Sequence, residues 1–231
     1  MGFSGFTADT FKFLMEIRFN NNVEWFDANR ERYKKSVQLP LKQLATELMP
    51  TVLSVDPYFS TNLNTTVSRI RRDTRFTKDK SPYRDNMWLG YRYPGRSISE
   101  GFTIWFGIDP NGYDYGMGFY YAEPSFMAHY RKRIISDPSG FFSLAEPLMK
   151  LGFMYSCELY KRDRFPDAPA EIKPYINVKN FSWMRHFDGV ADLLEPSDIA
   201  NRLNDEFIRM KPMYDYVRSI ALIDDASKLS H

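Results

Sequence analysis

The 231 residues hold 31 Lys and Arg against 29 Asp and Glu, a net charge of +2, with 43% hydrophobic and 16% aromatic residues. That balance excludes a disordered chain and does not suit wholesale electrostatic wrapping of nucleic acid. One Cys and three His exclude a disulfide framework and a multi-thiolate or zinc centre, so no metal is expected, and no cofactor can be named.

The chain opens on helices. Phe6, Thr10, Phe13, Leu14 and Ile17 keep a three-to-four spacing, with Thr7 or Asp9 to cap them. Asn20, Asn21 and Asn22 break that helix, because Asn favours turns. A second helix follows, with Trp25, Phe26, Tyr33 and Val37 as its apolar side and Arg30, Glu31 and Lys34 outside. Pro40 opens a third through Leu41, Leu44, Ala45 and Leu48.

The middle reads as sheet. Strands are expected over Thr65 to Arg72, Asn86 to Tyr93 and Phe102 to Ile108, the last being β-branched and aromatic. Asp109-Pro110-Asn111-Gly112 is a turn in which Pro fixes one φ and Asn-Gly accepts positive φ. Tyr113 to Tyr121 then returns as the second strand of a hairpin. Pro124 starts a helix through Phe126, Tyr130 and Ile134, Asp137-Pro138 ends it, and another covers Phe141 to Leu151. Phe153 to Tyr160 and Ile176 to Trp183 are extended, with a proline-bearing loop between them. Ile199, Leu203, Phe207, Met210, Tyr214 and Val217 step by three or four along a C-terminal helix.

Helices first, sheet in the middle and helices last predict an α+β fold: a central antiparallel sheet covered by N-terminal and C-terminal helices. The expectation is one domain over residues 1–231, with helices over about 6–55, sheet over about 65–122, and a mixed and helical part over about 124–226. No stretch approaches the roughly 18 apolar residues that cross a bilayer. The N-terminus lacks the layout of a secretory signal. A cytoplasmic protein without membrane attachment is expected.

Charge is unevenly spread. From Arg69 to Arg96 there are nine basic and three acidic residues; from His186 to the end, five Lys and Arg face nine acids. The densest stretch, Arg69 to Arg84, places seven bases and two acids in sixteen residues. Arg presents a planar fork of donors suited to carboxylate or phosphate oxygens. In a regular strand Arg69 and Arg71 share one face and Arg72 takes the other. A turn after Asp73 would bring Arg75 and Lys80 back toward the strand end. The segment reads either as an oxyanion pocket or as a solvated basic loop tying two strands together.

The run Arg69, Arg72-Asp73, Arg75-Phe76, Lys80 and Pro82-Tyr83 resembles the signature of the family catalogued as domain of unknown function 2461. Gly5-Phe6, Asn20-Asn21, Trp25-Phe26, Asn29-Arg30 and Tyr33 resemble its N-terminal pattern, and Gly118, Tyr120, Pro124 and Arg131 its middle. The resemblance covers nearly the whole chain. It implies no activity, but it marks the Arg69–Tyr83 segment as the family's hallmark.

The functional expectation is binding of a phosphate- or carboxylate-bearing ligand, with catalysis left open. Arg69, Arg72 and Arg75 serve as oxyanion ligands, Lys80 as a charge partner, Tyr83 as a donor and Asp73 as the group that orients a guanidinium. Asn29-Arg30 can extend such a pocket, although helix capping accounts for the Asn cluster more simply. The alternative is a non-enzymatic interaction module whose basic loop docks an acidic protein or single-stranded nucleic acid. Trp88, Tyr91, Arg92, Tyr93 and Arg96 are the residues that would stack bases on the sheet. A concave site favours the small ligand and a flat charged face favours the partner. Asp73 and Asp79 sit among bases and suit ion pairs better than acid catalysis. His129 and His186 lack companions, and Cys157 reads as a small hydrophobe.

Overall fold

A computed structural model of the chain describes residues 2–75, 78–94, 101–194 and 196–229. Phe76 and Arg96, both part of the sequence-based reading, lie outside the described residues.

Thr7 is the N-cap of α1 (Ala8–Phe19), whose buried side is Thr10, Phe11, Phe13, Leu14 and Ile17. Asn22 starts α2 (Val23–Ala28), its side-chain oxygen accepting the Trp25 amide at 2.9 Å. α3 (Arg30–Tyr33) leads into a π-helical turn at Lys34–Gln38 and then α4 (Leu39–Val55). The wide turn has a cause. Pro40 has no amide to give to the Ser36 carbonyl one turn back. The buried Thr10 hydroxyl supplies that hydrogen bond instead, at 2.6 Å. Pro40 therefore marks a widened turn in a continuous helical run, where the sequence predicts a separate helix start.

The strand expected over Thr65 to Arg72 does not form as one: this stretch makes only isolated bridges at Val67 and Arg71. Asn62 caps a single turn, α5 (Leu63–Thr66), and the chain becomes extended only at Val67. Five strands follow: β1 (Met87–Tyr91), β2 (Thr103–Ile108), β3 (Gly112–Gly118), β4 (Met154–Leu159) and β5 (Val178–Asp188), in the antiparallel sheet order β1-β2-β3-β5-β4. The hairpin of β2 and β3 turns as expected, with Asp109 Oδ1 accepting the Asn111 and Gly112 amides at 2.6 and 3.2 Å. Positive φ is not the reason for Gly112. Among the described residues only Gly5, Gly152 and Gly189 adopt it. A Cβ on Gly112 would stand 2.1 Å from the Phe187 carbonyl oxygen of β5, so close approach of backbone is what requires glycine there.

α6 (Pro124–Ser136) and α7 (Pro138–Lys150) meet at Asp137, which accepts the Gly140 amide at 2.9 Å. α8 (Lys173–Ile176) precedes β5, and α9 (Pro196–Leu229) closes the chain. All six apolar positions predicted for the last helix are buried.

By its contacts the chain forms two compact units. The first comprises Met1–Pro94, Trp105–Tyr115 and His186–Glu206; the second comprises Gly95–Ile104, Gly116–Arg185 and Phe207–His231. In the first, Phe6 stacks on Phe106 of β2 at 6.0 Å, and the buried Tyr91 of β1 donates to the Ala45 carbonyl of α4 at 2.6 Å. In the second, Phe181 of β5 stacks on Tyr130 of α6 at 4.3 Å, and Phe102 lies 5.5 Å from Tyr214 of α9. Each unit thus packs helices on its own share of strands, N-terminal helices in one and C-terminal helix in the other, which is the α+β architecture expected. Among the described residues no helix is long and apolar enough to cross a membrane.

Candidate anion-binding site

Residues 67–89, in the first unit, fold back on themselves. Val67 bridges Leu89 and Arg71 bridges Tyr83; the Arg72 amide donates to Pro82 O and the Arg84 amide to Ile70 O, each at 2.8 Å. Side chains alternate along such a stretch. Ile70 turns inward and is buried, Arg72 is half-buried, and Arg69 and Arg71 are exposed on the other side.

The returning limb is pinned from the N-terminal helices. Asn21 Nδ2 donates to Tyr83 O at 3.0 Å, and Asn21 Oδ1 accepts the Tyr83 amide at 2.9 Å. One side chain therefore satisfies both backbone groups of Tyr83. The Tyr83 ring then stacks on Phe26 of α2 at 4.2 Å.

Arg69 and Arg71 line a cavity of about 400 Å³. Its helical lining is Arg30, Lys34, Gln38 and Lys42, one side of the run from α3 through the π turn into α4. The buried aromatics Phe26, Tyr33 and Tyr83 form its inner lining. Burial pushes the Tyr33 phenol up to about 12, against an opposing hydrogen bond from the Ile70 backbone, so it stays protonated. Five cations line this space, and among the described residues no Asp, Glu, His or Cys does.

The five differ in what neutralises them. Arg30 pairs with Asp27, and Lys34 Nζ reaches Glu31 at 2.6 Å. Lys42 has only the Asn64 side-chain oxygen, at 3.4 Å. Arg69 and Arg71 have no ion pair or side-chain hydrogen bond among the described residues.

Of the six residues singled out from sequence, Arg69 and Tyr83 line the cavity. Arg72, Asp73, Arg75 and Lys80 are not among its lining, and Arg72, Arg75 and Lys80 each bond within their own loop. Arg72 lies on the opposite strand face, with Nη1 2.8 Å from Asp79 and Nη2 3.4 Å from Tyr83 O. Arg75 forks onto Asp73 with contacts of 3.0 and 2.7 Å, while its side chain is 76% exposed. Asp73 accepts these bonds away from the cavity lining, and Arg75 holds its carboxyl down to about 2. Lys80 Nζ donates to Thr74 O at 2.7 Å and closes the loop on itself. The Ser81 hydroxyl and amide, then Arg72, lower the Asp79 carboxyl.

Sequence reasoning passed over Arg71, Lys34 and Lys42, and set Arg30 below a capping role. The signals were present: Arg71 shares strand parity with Arg69, and 30, 34, 38 and 42 fall at successive steps of four along a helix. The sheet aromatics do not offer stacking faces as a set. Tyr91 is buried, the Tyr93 hydroxyl bonds Asp56, Arg92 donates to Thr65 O at 2.8 Å, and Arg84 covers Trp88 at 4.7 Å. His129 sits 4.0 Å from Asp224 within the second unit, and His186 3.4 Å from Asp188 within the first. Burial raises the thiol of Cys157, which pairs with Phe181 in the sheet register.

What fold and cavity define together is an α+β protein with a basic, aromatic-backed recess built from its N-terminal helices and one hairpin-like loop. The chain belongs to the family described as conserved hypothetical protein (DUF2461), whose model matches residues 9–216 and so takes in every residue of this recess. No match was found among curated proteins.

Proposed function

We propose that the protein binds a small molecule bearing phosphate or carboxylate groups in this cavity. The observation that carries the reading is the pair Arg69 and Arg71: forked donors without acceptors among the described residues, set by alternation along the chain into a recess lined there by five cations and no acid. A solvated clamp would show these arginines bonded to nearby carboxylates, as Arg72 and Arg75 are. Concave shape supports a small ligand over a docked acidic protein, and the loop's own cations are largely occupied by the loop. The lining supplies electrostatic binding and orientation.

A thermal-shift screen of phosphorylated and carboxylated metabolites tests this, because a ligand of the native state raises its stability by mass action. A hit should weaken by about 1.5–3 kcal/mol in Arg71→Gln, the range for a hydrogen bond to a charged group. A hit that binds Arg69→Gln/Arg71→Gln as tightly as the unaltered protein would remove the cavity from the account.

A further inference from the structure

We propose that the ligand is a small polyanion of the di- or triphosphate class, carrying three or more negative charges, held by its phosphates. This rests on the anion-binding reading above and narrows it.

The first support is charge. Two of the five lining cations, Arg30 and Lys34, have their own acids; among the described residues Lys42, Arg69 and Arg71 have none. A monoanion would leave two uncompensated cations in the same recess. Neutralising all three takes a ligand of matching charge. The second support is spacing. Lys34, Gln38 and Lys42 stand at successive turns along the helical run that lines the recess. Positions 69 and 71 are about 6.6 Å apart along the extended chain. Donors are thus spread over a length that one tetrahedral anion does not span. The third is size, since 400 Å³ falls within the roughly 300–1,000 Å³ of cavities that enclose whole small molecules.

The aromatic lining argues against recognition through a base. Phe26 and Tyr83 are each 4% exposed and stack on each other, and Tyr33 is 5% exposed and lies 5.6 Å from Phe26. These rings are spent on one another, whereas single-strand binders leave faces open for bases to stack. The phosphates, not a nucleobase, should carry the affinity.

The test titrates the full chain with inorganic phosphate, pyrophosphate, tripolyphosphate and an oligothymidylate, at constant ionic strength without divalent metal. Affinity should rise with each added phosphate, at least tenfold from phosphate to tripolyphosphate. Arg69→Gln/Arg71→Gln should abolish the rise, Lys42→Gln should reduce it, and the loop variant Arg75→Gln should leave it unchanged. Phosphate binding as tightly as tripolyphosphate would overturn the polyanion inference and leave the anion site standing. No binding of any phosphate would overturn the polyphosphate inference and leave the anion reading to carboxylate ligands alone. Tighter binding of oligothymidylate, or equal losses in the loop and cavity variants, would replace a defined site with diffuse attraction for nucleic acid and overturn the inference.

Discussion

Arg69 and Arg71 share a seven-residue stretch with Arg72 and Arg75, yet the two pairs meet opposite fates. Arg72 and Arg75 are bonded to Asp79 and Asp73 within the loop they belong to. Arg69 and Arg71 face a recess that no acid lines among the described residues. Composition does not separate these pairs; strand parity and the position of the two local acids do. The loop's charges hold its own shape, whereas Arg69 and Arg71 have no ion pair among the described residues. Charge density in a sequence therefore points to a region, while the side of the strand decides which cations can serve a ligand.

The comparison breaks most readily at its hinge. Asn21→Ala removes the partner of the Tyr83 amide and leaves the Tyr83 carbonyl only the longer contact from Arg72 at 3.4 Å. An orphaned buried group costs about 1–3 kcal/mol, so the variant should lose that much in urea denaturation and weaken ligand binding as well. Arg72→Ala opens the loop clamp. Its ion pair is partly exposed and screened, so a fall of about 2–4 °C in Tm is expected, without a defect in the cavity. A binding loss in Arg72→Ala larger than in Arg71→Gln would reverse the assignment of the two faces.

Tyr33 sharpens the cavity side. Its phenol is pushed up to about 12 in the fold, from an ordinary value of 10.0. A raised pKa means that its contribution is fully present below pH 10 and is lost as pH climbs toward 12. Tyr33→Phe should flatten part of the stability loss over that window relative to the unaltered protein. The smallest expected effect is on the loop. Arg75→Ala should change neither stability nor binding measurably. It should let the Asp73 carboxyl, now near 2, titrate closer to its ordinary 3.8, as carbon-detected NMR would show. An Asp73 titration that does not move would remove the Arg75 fork as its cause.

Much of the fold was legible in the sequence. The apolar spacing of α1 and α9 and the Asp109–Gly112 turn reappear in the structure because each is set by short-range patterning. Local spacing failed where a distant group decided the outcome. Pro40 reads as a helix start unless Thr10 is known to supply the Ser36 carbonyl's missing donor. Gly112 reads as a positive-φ glycine unless the Phe187 carbonyl is known to lie against it. The candidate site divides the same way. The segment Arg69–Tyr83 and the parity of Arg69 with Arg71 were visible. The contribution of Lys34 and Lys42 required knowing that the helical run lines the same recess, information held by Asn21 and Phe26 contacts between segments about sixty residues apart.

The central claim is that Arg69 and Arg71 are held for a ligand at the expense of the empty fold. Urea denaturation of the ligand-free protein and of Arg69→Gln/Arg71→Gln, in low-phosphate buffer at about 0.01 M and about 1 M sodium chloride, tests it directly, since the Debye length falls from about 30 to 3 Å over that range. Relief of repulsion among the cavity cations should make the variant the more stable protein at low salt, with the gap closing at high salt. A variant less stable than the unaltered protein at both salt concentrations would show that these arginines hold the fold together, and would contradict the account.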